Sequence, residues 1–76
     1  MDFRLSFHVR NRMRQRGVTE DDVRHVLDKP LTTWHDPVNR SRVFRGTAMD
    51  GRALKVCLVD PVPPDGVEVV KTTMWA

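Results

Sequence analysis

The sequence is short of the residues that build the commoner active sites. Its single cysteine, Cys57, rules out an internal disulfide and a cysteine-only metal site. Cys57 sits inside Leu54-Lys-Val-Cys-Leu-Val59, where a buried apolar thiol is expected rather than a nucleophile. His8, His25 and His35 have no ligand spacing, and neither a glycine-rich phosphate loop nor a serine or cysteine nucleophile motif occurs, so neither metal nor cofactor is expected. Apolar runs of membrane-spanning length, a signal peptide and lipidation motifs are also missing, and the chain reads as cytoplasmic with no membrane partner. There is no repeat, linker or low-complexity tract. The 76 residues therefore read as one domain, 1–76. A chain this short buries only about 60% of its unfolded surface and has a thin core.

What the chain has is arginine. Thirteen bases against ten acids give a net charge of +3 and a pI near 9.8, and ten of the thirteen bases are arginine. Guanidinium groups suit bidentate contacts with phosphate or carboxylate, so a polyanion such as RNA is one partner this composition suggests. A solvated surface of mixed charge is the other reading.

Five arginines lie within residues 1–18, and their spacing is informative. The stretch His8-Val-Arg-Asn-Arg-Met-Arg-Gln-Arg16-Gly17 reads as a short helix beginning near Ser6, a good N-cap, and ending at Gly17. His8, Arg12 and Arg16 recur at i, i+4 and i+8 and form one stripe bordering the apolar sector of Leu5, Val9 and Met13, whereas Arg10 and Arg14 point to solvent. Guanidinium groups at a seam with the core need carboxylates or a bound anion. A second helix starts at Thr19, with Asp22 as an imperfect capping-box partner and Val18 and Val23 placed for a hydrophobic staple. Its inner face is Val23, Val26 and Leu27; His25 falls outside, and Pro30 ends it.

Beyond Pro30 the period becomes that of strands. Candidates are Leu31 to His35, Arg42 to Ala48, Arg52 to Asp60 and Val67 to Trp75, with Asp50-Gly51 as a type I′ hairpin and Pro61 to Gly66 as a loop. The expected fold is α+β: two N-terminal helices on one face of a four-stranded, mainly antiparallel sheet, in the order ααββββ. Leu54, Val56 and Leu58 should pack under the helices, leaving Lys55 on the other face as a solvated lysine or part of a site. In the last strand Lys71 and Thr73 are assigned to one face and Val70, Thr72 and Met74 to the other. Arg45, Lys55 and Lys71 or Thr73 could form a basic sheet surface, subject to register.

Histidine, arginine and lysine suit metal-independent cleavage of RNA, in which the 2′-OH attacks its neighbouring phosphate. His8 can serve as acid or base, and Arg12, Arg16, Arg45 and Lys55 can stabilise the phosphate; His8 as a plain seam histidine is the alternative. Trp34 either stacks a base or packs at a strand end.

Several motifs together resemble a small bacterial domain family of unknown function. They are His8-x-x-x-Arg12-Met13-x-x-Arg16-Gly17-Val18-Thr19-x-x-Asp22-Val23, Val26-Leu27-x-x-Pro30, Arg45-Gly46, Gly51-Arg52-x-Leu54-Lys55-Val56 and Val69-Val70-x-Thr72, spread over nearly the whole chain. That family is distantly similar to the RelE-like and BrnT-like ribonuclease toxins of bacterial toxin–antitoxin systems. The resemblance implies helices on an antiparallel sheet with a basic catalytic cluster, and marks His8, Arg12, Arg16, Lys55 and Thr72. The expectation is a small metal-independent endoribonuclease, the toxin of such a pair, with His8, Arg12, Lys55 and Thr72 catalytic. Arg16, Arg45, Lys71, Thr73 and Trp34 would bind substrate; RNA and a cognate antitoxin protein would be its partners, and the chain a monomer or small oligomer. The alternative is a non-catalytic protein- or nucleic-acid-binding module in which the stripe is structural. A third reading is that Arg12 and Arg16 only pair with helix-2 or loop acids such as Asp22 or Asp28, making the signature a fold-holding network.

Overall fold

The computed structural model describes residues 1–76. The chain runs β1 (Phe3–Leu5), α1 (Phe7–Arg16), α2 (Glu20–Asp28), β2 (Thr32–Asp36), β3 (Ser41–Thr47), β4 (Ala53–Val59) and β5 (Glu68–Trp75). The class is α+β, as the sequence pattern indicates, but the sheet has five strands in the order β1-β5-β4-β3-β2. The additional strand is β1, which pairs parallel to β5 through Phe3↔Glu68, Arg4↔Val69 and Leu5↔Val70. Leu5 therefore belongs to a strand and not to the first helix. Three residues are too few to show an alternating pattern, and their pairing partner lies more than sixty residues away. β2 to β5 form the expected antiparallel meander.

Local chemistry sets the helix ends. Ser6 Oγ accepts the Val9 N–H at 3.1 Å, and Gly17 turns left-handed at φ 72°, sending its N–H to the Arg14 carbonyl while Val18 N–H reaches the Met13 carbonyl at 2.8 Å. At α2 the capping box is complete: Asp22 N–H donates to Thr19 Oγ1 at 3.1 Å and Thr19 N–H donates to Asp22 Oδ2 at 2.9 Å. Aspartate is one methylene shorter than the usual glutamate, yet it reaches.

Both helices cover one face of the sheet. Val9, Met13, Val18, Val23, Val26 and Leu27 meet Leu54, Val56, Leu58 and Val70 in a single buried cluster. The hairpin between β3 and β4 differs from the expected type I′ turn. Gly51 N–H donates to the Ala48 carbonyl at 2.9 Å and Ala48 N–H to the Arg52 carbonyl at 2.8 Å, while Gly51 has φ +89° and Asp50 keeps a negative φ. This is a three-residue loop with a glycine bulge. Side chains dictate the choice: Asp22 Oδ1 accepts the Met49 N–H at 2.9 Å and Asp50 Oδ1 the Arg52 N–H at 3.0 Å.

A second bulge decides the faces of β5. Cys57 pairs with Thr72 but Leu58 pairs with Val70, so Lys71 is an extra residue. Val70 and Thr72 therefore point to opposite faces, contrary to a simple alternation. Thr73 turns to the helix side beside Val56, and Lys71 no longer shares its face.

Candidate functional site

β1 pairs only with the first residues of β5, so the segment Lys71–Thr73 lies on a stretch of β5 that α1, rather than a strand, flanks. The His8, Arg12 and Arg16 stripe faces this segment. With Val9, Lys71, Thr72 and Thr73, these three side chains line a cleft of about 260 Å³. The lining has one imidazole, three cations and two hydroxyl side chains, and no carboxylate.

Two anchors hold the stripe against the strand. Arg16 Nη1 donates to the Thr73 carbonyl and lies 3.5 Å from Thr72 Oγ1. In return the indole Nε1 of Trp75 donates to the Arg16 carbonyl at 2.7 Å. Arg16 thus meets only neutral oxygens. The arginines in ion pairs are Arg4, Arg10, Arg24, Arg42 and Arg52; Arg12 and Arg16 are not among them. The expected alternative, in which Asp22 or Asp28 neutralises the stripe, does not hold. Asp22 caps α2 and Asp28 meets the Met1 amino group at 3.4 Å. Arg14 is exposed, as its helical angle implies, whereas Arg10 is not free: it pairs with Glu20 and ties the two helices together.

Thr73 marks the bottom of the cleft. It is 1% exposed, and its buried Oγ1 has no hydrogen-bond partner. An unsatisfied buried hydroxyl costs about 1–3 kcal/mol.

Lys55 is not in this cleft. It projects from the open face of the sheet, opposite Arg45 in register, into a second groove with Trp34, Val43, Cys57, Lys71, Thr72 and Met74 among its walls. The expected meeting of Lys55 with His8, Arg12 and Arg16 fails because the stripe sits over the flank of β5 while β4 is one strand further in. Lys71 and Thr72 line both spaces and join them. Arg45 is exposed on the open face and lines neither. Trp34 is 43% exposed there, so its indole is not packed at a strand end. Burial pushes the Cys57 thiol pKa up despite Lys55 and Lys71 nearby. A raised pKa disfavours the thiolate, which is the reactive form.

Other polar groups brace the fold. Arg42 makes a bidentate pair with Glu68 at 2.8 and 2.6 Å and donates to the Val59 carbonyl at 2.8 Å. The Glu68 carboxylate raises the Arg42 pKa against the cost of burial, and Asp60 adds to it. Asp60 also meets His35 Nε2 at 2.5 Å. None of this was apparent from the sequence, since Arg42 and Glu68 are 26 positions apart and carry no motif. His25, expected to be solvated, is half-buried and its Nδ1 lies 2.7 Å from the Thr47 carbonyl, because α2 lies close along β3. No three histidine, cysteine, aspartate or glutamate side chains come together as a metal set. No helix is long and apolar enough to cross a membrane.

The family described as "Domain of unknown function (DUF4258)" matches residues 5–75. The chain belongs to this uncharacterised family. Neither a curated protein nor a solved structure matches it.

Proposed function

We propose that the chain is a small endoribonuclease that cleaves RNA without a metal ion and acts as the toxin of a bacterial toxin–antitoxin pair. The observation that carries this reading is the cleft itself: His8 stands among Arg12, Arg16 and Lys71, with no carboxylate in the lining. A site of that sign and shape favours a phosphodiester.

In this mechanism the His8 imidazole takes the proton of a ribose 2′-OH. The 2′-oxygen forms a bond to the adjacent phosphorus, and the bond from phosphorus to the 5′-oxygen breaks. The cleft is open, so the departing 5′-oxygen collects its proton from water. The products are a 2′,3′-cyclic phosphate and a 5′-hydroxyl. Arg12 and Arg16 carry the charge growing on the phosphoryl oxygens. Thr72, on the rim between the two spaces, orients the ribose.

The purified protein should cleave an RNA strand in excess chelator and leave the same strand intact when the ribose at the cut is 2′-deoxy. His8→Ala should lower the rate by about 100-fold or more, the usual worth of a general base. The same substitution should relieve growth arrest on induced expression. Equal cleavage by wild type and His8→Ala would rule out this mechanism.

A second reading, a binding module without catalysis, draws on Arg16, whose contacts to Thr73 and Thr72 also brace the fold. It predicts that oligonucleotides bind uncut.

A further inference from the structure

The open face of the sheet carries a row of side chains that ends in the cleft. Trp34 pairs with Val43, Val43 with Cys57 and Cys57 with Thr72, so four side chains on four adjacent strands stand in line. Strand spacing of about 4.8 Å puts the ends of this row about 14 Å apart. Thr72 is at one end, in the cleft, and the exposed Trp34 at the other. Val43 and Cys57 are small and largely buried, and form a floor. Lys55 and Met74 flank the row on one side and Lys71 on the other, enclosing about 400 Å³. That is within the range of small-ligand sites, about 300–1,000 Å³.

The charge around the groove is also suited to a nucleic-acid strand. Lys55 lies in register with Arg45, and no ion pair involves either. Lys71 gives hydrogen bonds to neutral acceptors, Ser41 Oγ at 2.9 Å and the Asn39 carbonyl. The one acid in the lining, Asp36, is occupied by Asn39, whose side chain donates to it at 2.8 Å.

We infer that this groove is a track for single-stranded RNA continuous with the cleft, in which Trp34 stacks a base and Lys55 and Lys71 hold the flanking phosphates. The inference rests on the reading of the cleft as an RNA-backbone site and extends it from one phosphate to a strand. A single strand is specified because an indole standing off a sheet stacks only on a base that is free of its duplex partner. The continuity through Lys71 and Thr72 supplies the direction, from the cut phosphate across β4 and β3 to the edge strand.

The test uses the full chain and fluorescently labelled 2′-O-methyl strands, which bind without being cut. Affinity should climb from a dinucleotide to strands of about four nucleotides, the low end of the site sizes known for such surfaces, and level off beyond that length. A duplex of the same sequence should compete poorly. Trp34→Ala should weaken binding of the long strand by about ten-fold, and Trp34→Phe, which keeps a stacking ring, should restore most of it. Lys55→Ala, on an exposed face, should reduce the salt dependence by about one counterion. A folded Trp34→Ala protein that binds the long strand like wild type overturns the track, as does equal competition by duplex. Cutting of all-ribose RNA with no Trp34 effect would sink the track and leave the nuclease standing. Trp34-dependent binding with no cutting does the reverse.

Discussion

The carbonyl oxygen of Arg16 accepts the indole N–H of Trp75 at 2.7 Å, while the guanidinium of the same arginine donates to the carbonyl of Thr73. The last turn of α1 is thereby fastened to β5 at two points, and the cleft between them keeps its width. Arg52 lies over the Trp75 ring, its guanidinium carbon 3.8 Å from the ring centre. Trp75→Phe removes the indole N–H but keeps the ring. It should lower stability by about 1 kcal/mol or less in urea unfolding and weaken oligonucleotide binding by loosening the cleft.

Helical angle separates the arginines of α1 into two classes. Arg12 and Arg16 line the cleft, whereas Arg14 does not. Arg12→Ala and Arg16→Ala should each weaken binding of a single-stranded oligonucleotide and flatten its salt dependence by about one counterion. Arg14→Ala should change neither. Titrations by fluorescence anisotropy at several salt concentrations separate the three variants, and equal losses at all three would mean a diffuse basic surface.

The pair between Arg42 and Glu68 is largely buried, and without Glu68 the guanidinium keeps only the Val59 carbonyl and Asp60 at 3.6 Å. Glu68→Leu and Arg42→Met should each cost about 3 kcal/mol, and the double replacement should cost far less. Chemical denaturation of the two single variants and the double one closes the cycle.

Asp22 illustrates how burial and hydrogen bonds compete. Burial alone would raise its pKa, but the N–H groups of Thr19 and Met49 and the Thr19 hydroxyl outweigh that and hold it below the ordinary value of 3.8. A carboxylate depressed in the folded state stabilises the fold at pH values above its unfolded pKa. That contribution is lost as the pH falls below 3.8 through the folded value. Asp22→Ala should cost about 1–2 kcal/mol at neutral pH, as loss of a cap does, and its stability should fall less steeply in that acid window. Thermal melts of both proteins between neutral pH and about pH 3 measure this.

Cys57 should be slow to react with a thiol reagent in the native state, since burial raises its pKa. Reaction in denaturant gives the unhindered rate for comparison. A strand bound along the track would slow the native rate further.

The amino-acid sequence determined the local features on its own, because their causes lie within a few residues of one another. Ser6 and Thr19 cap the helices, Gly17 and Pro30 end them, and the alternation through Leu54, Val56 and Leu58 orients β4. Helical angle likewise puts His8, Arg12 and Arg16 on one stripe, because their i, i+4, i+8 spacing is local. What it could not specify depends on residues distant in the chain. β1 is too short to show a period and exists because β5 offers it a free edge. The extra residue at Lys71 reverses the alternation of β5, brings Thr73 under α1 and leaves Thr72 in the row with Cys57. The hairpin took its three-residue form because Asp22, on α2, captures the Met49 N–H. Only tertiary structure decided that the stripe faces Lys71, Thr72 and Thr73 while Lys55 lies one strand away in the groove that Trp34 also lines. Pairing register and a single inserted residue set which side chains share a space, and both are settled by packing over the whole sheet.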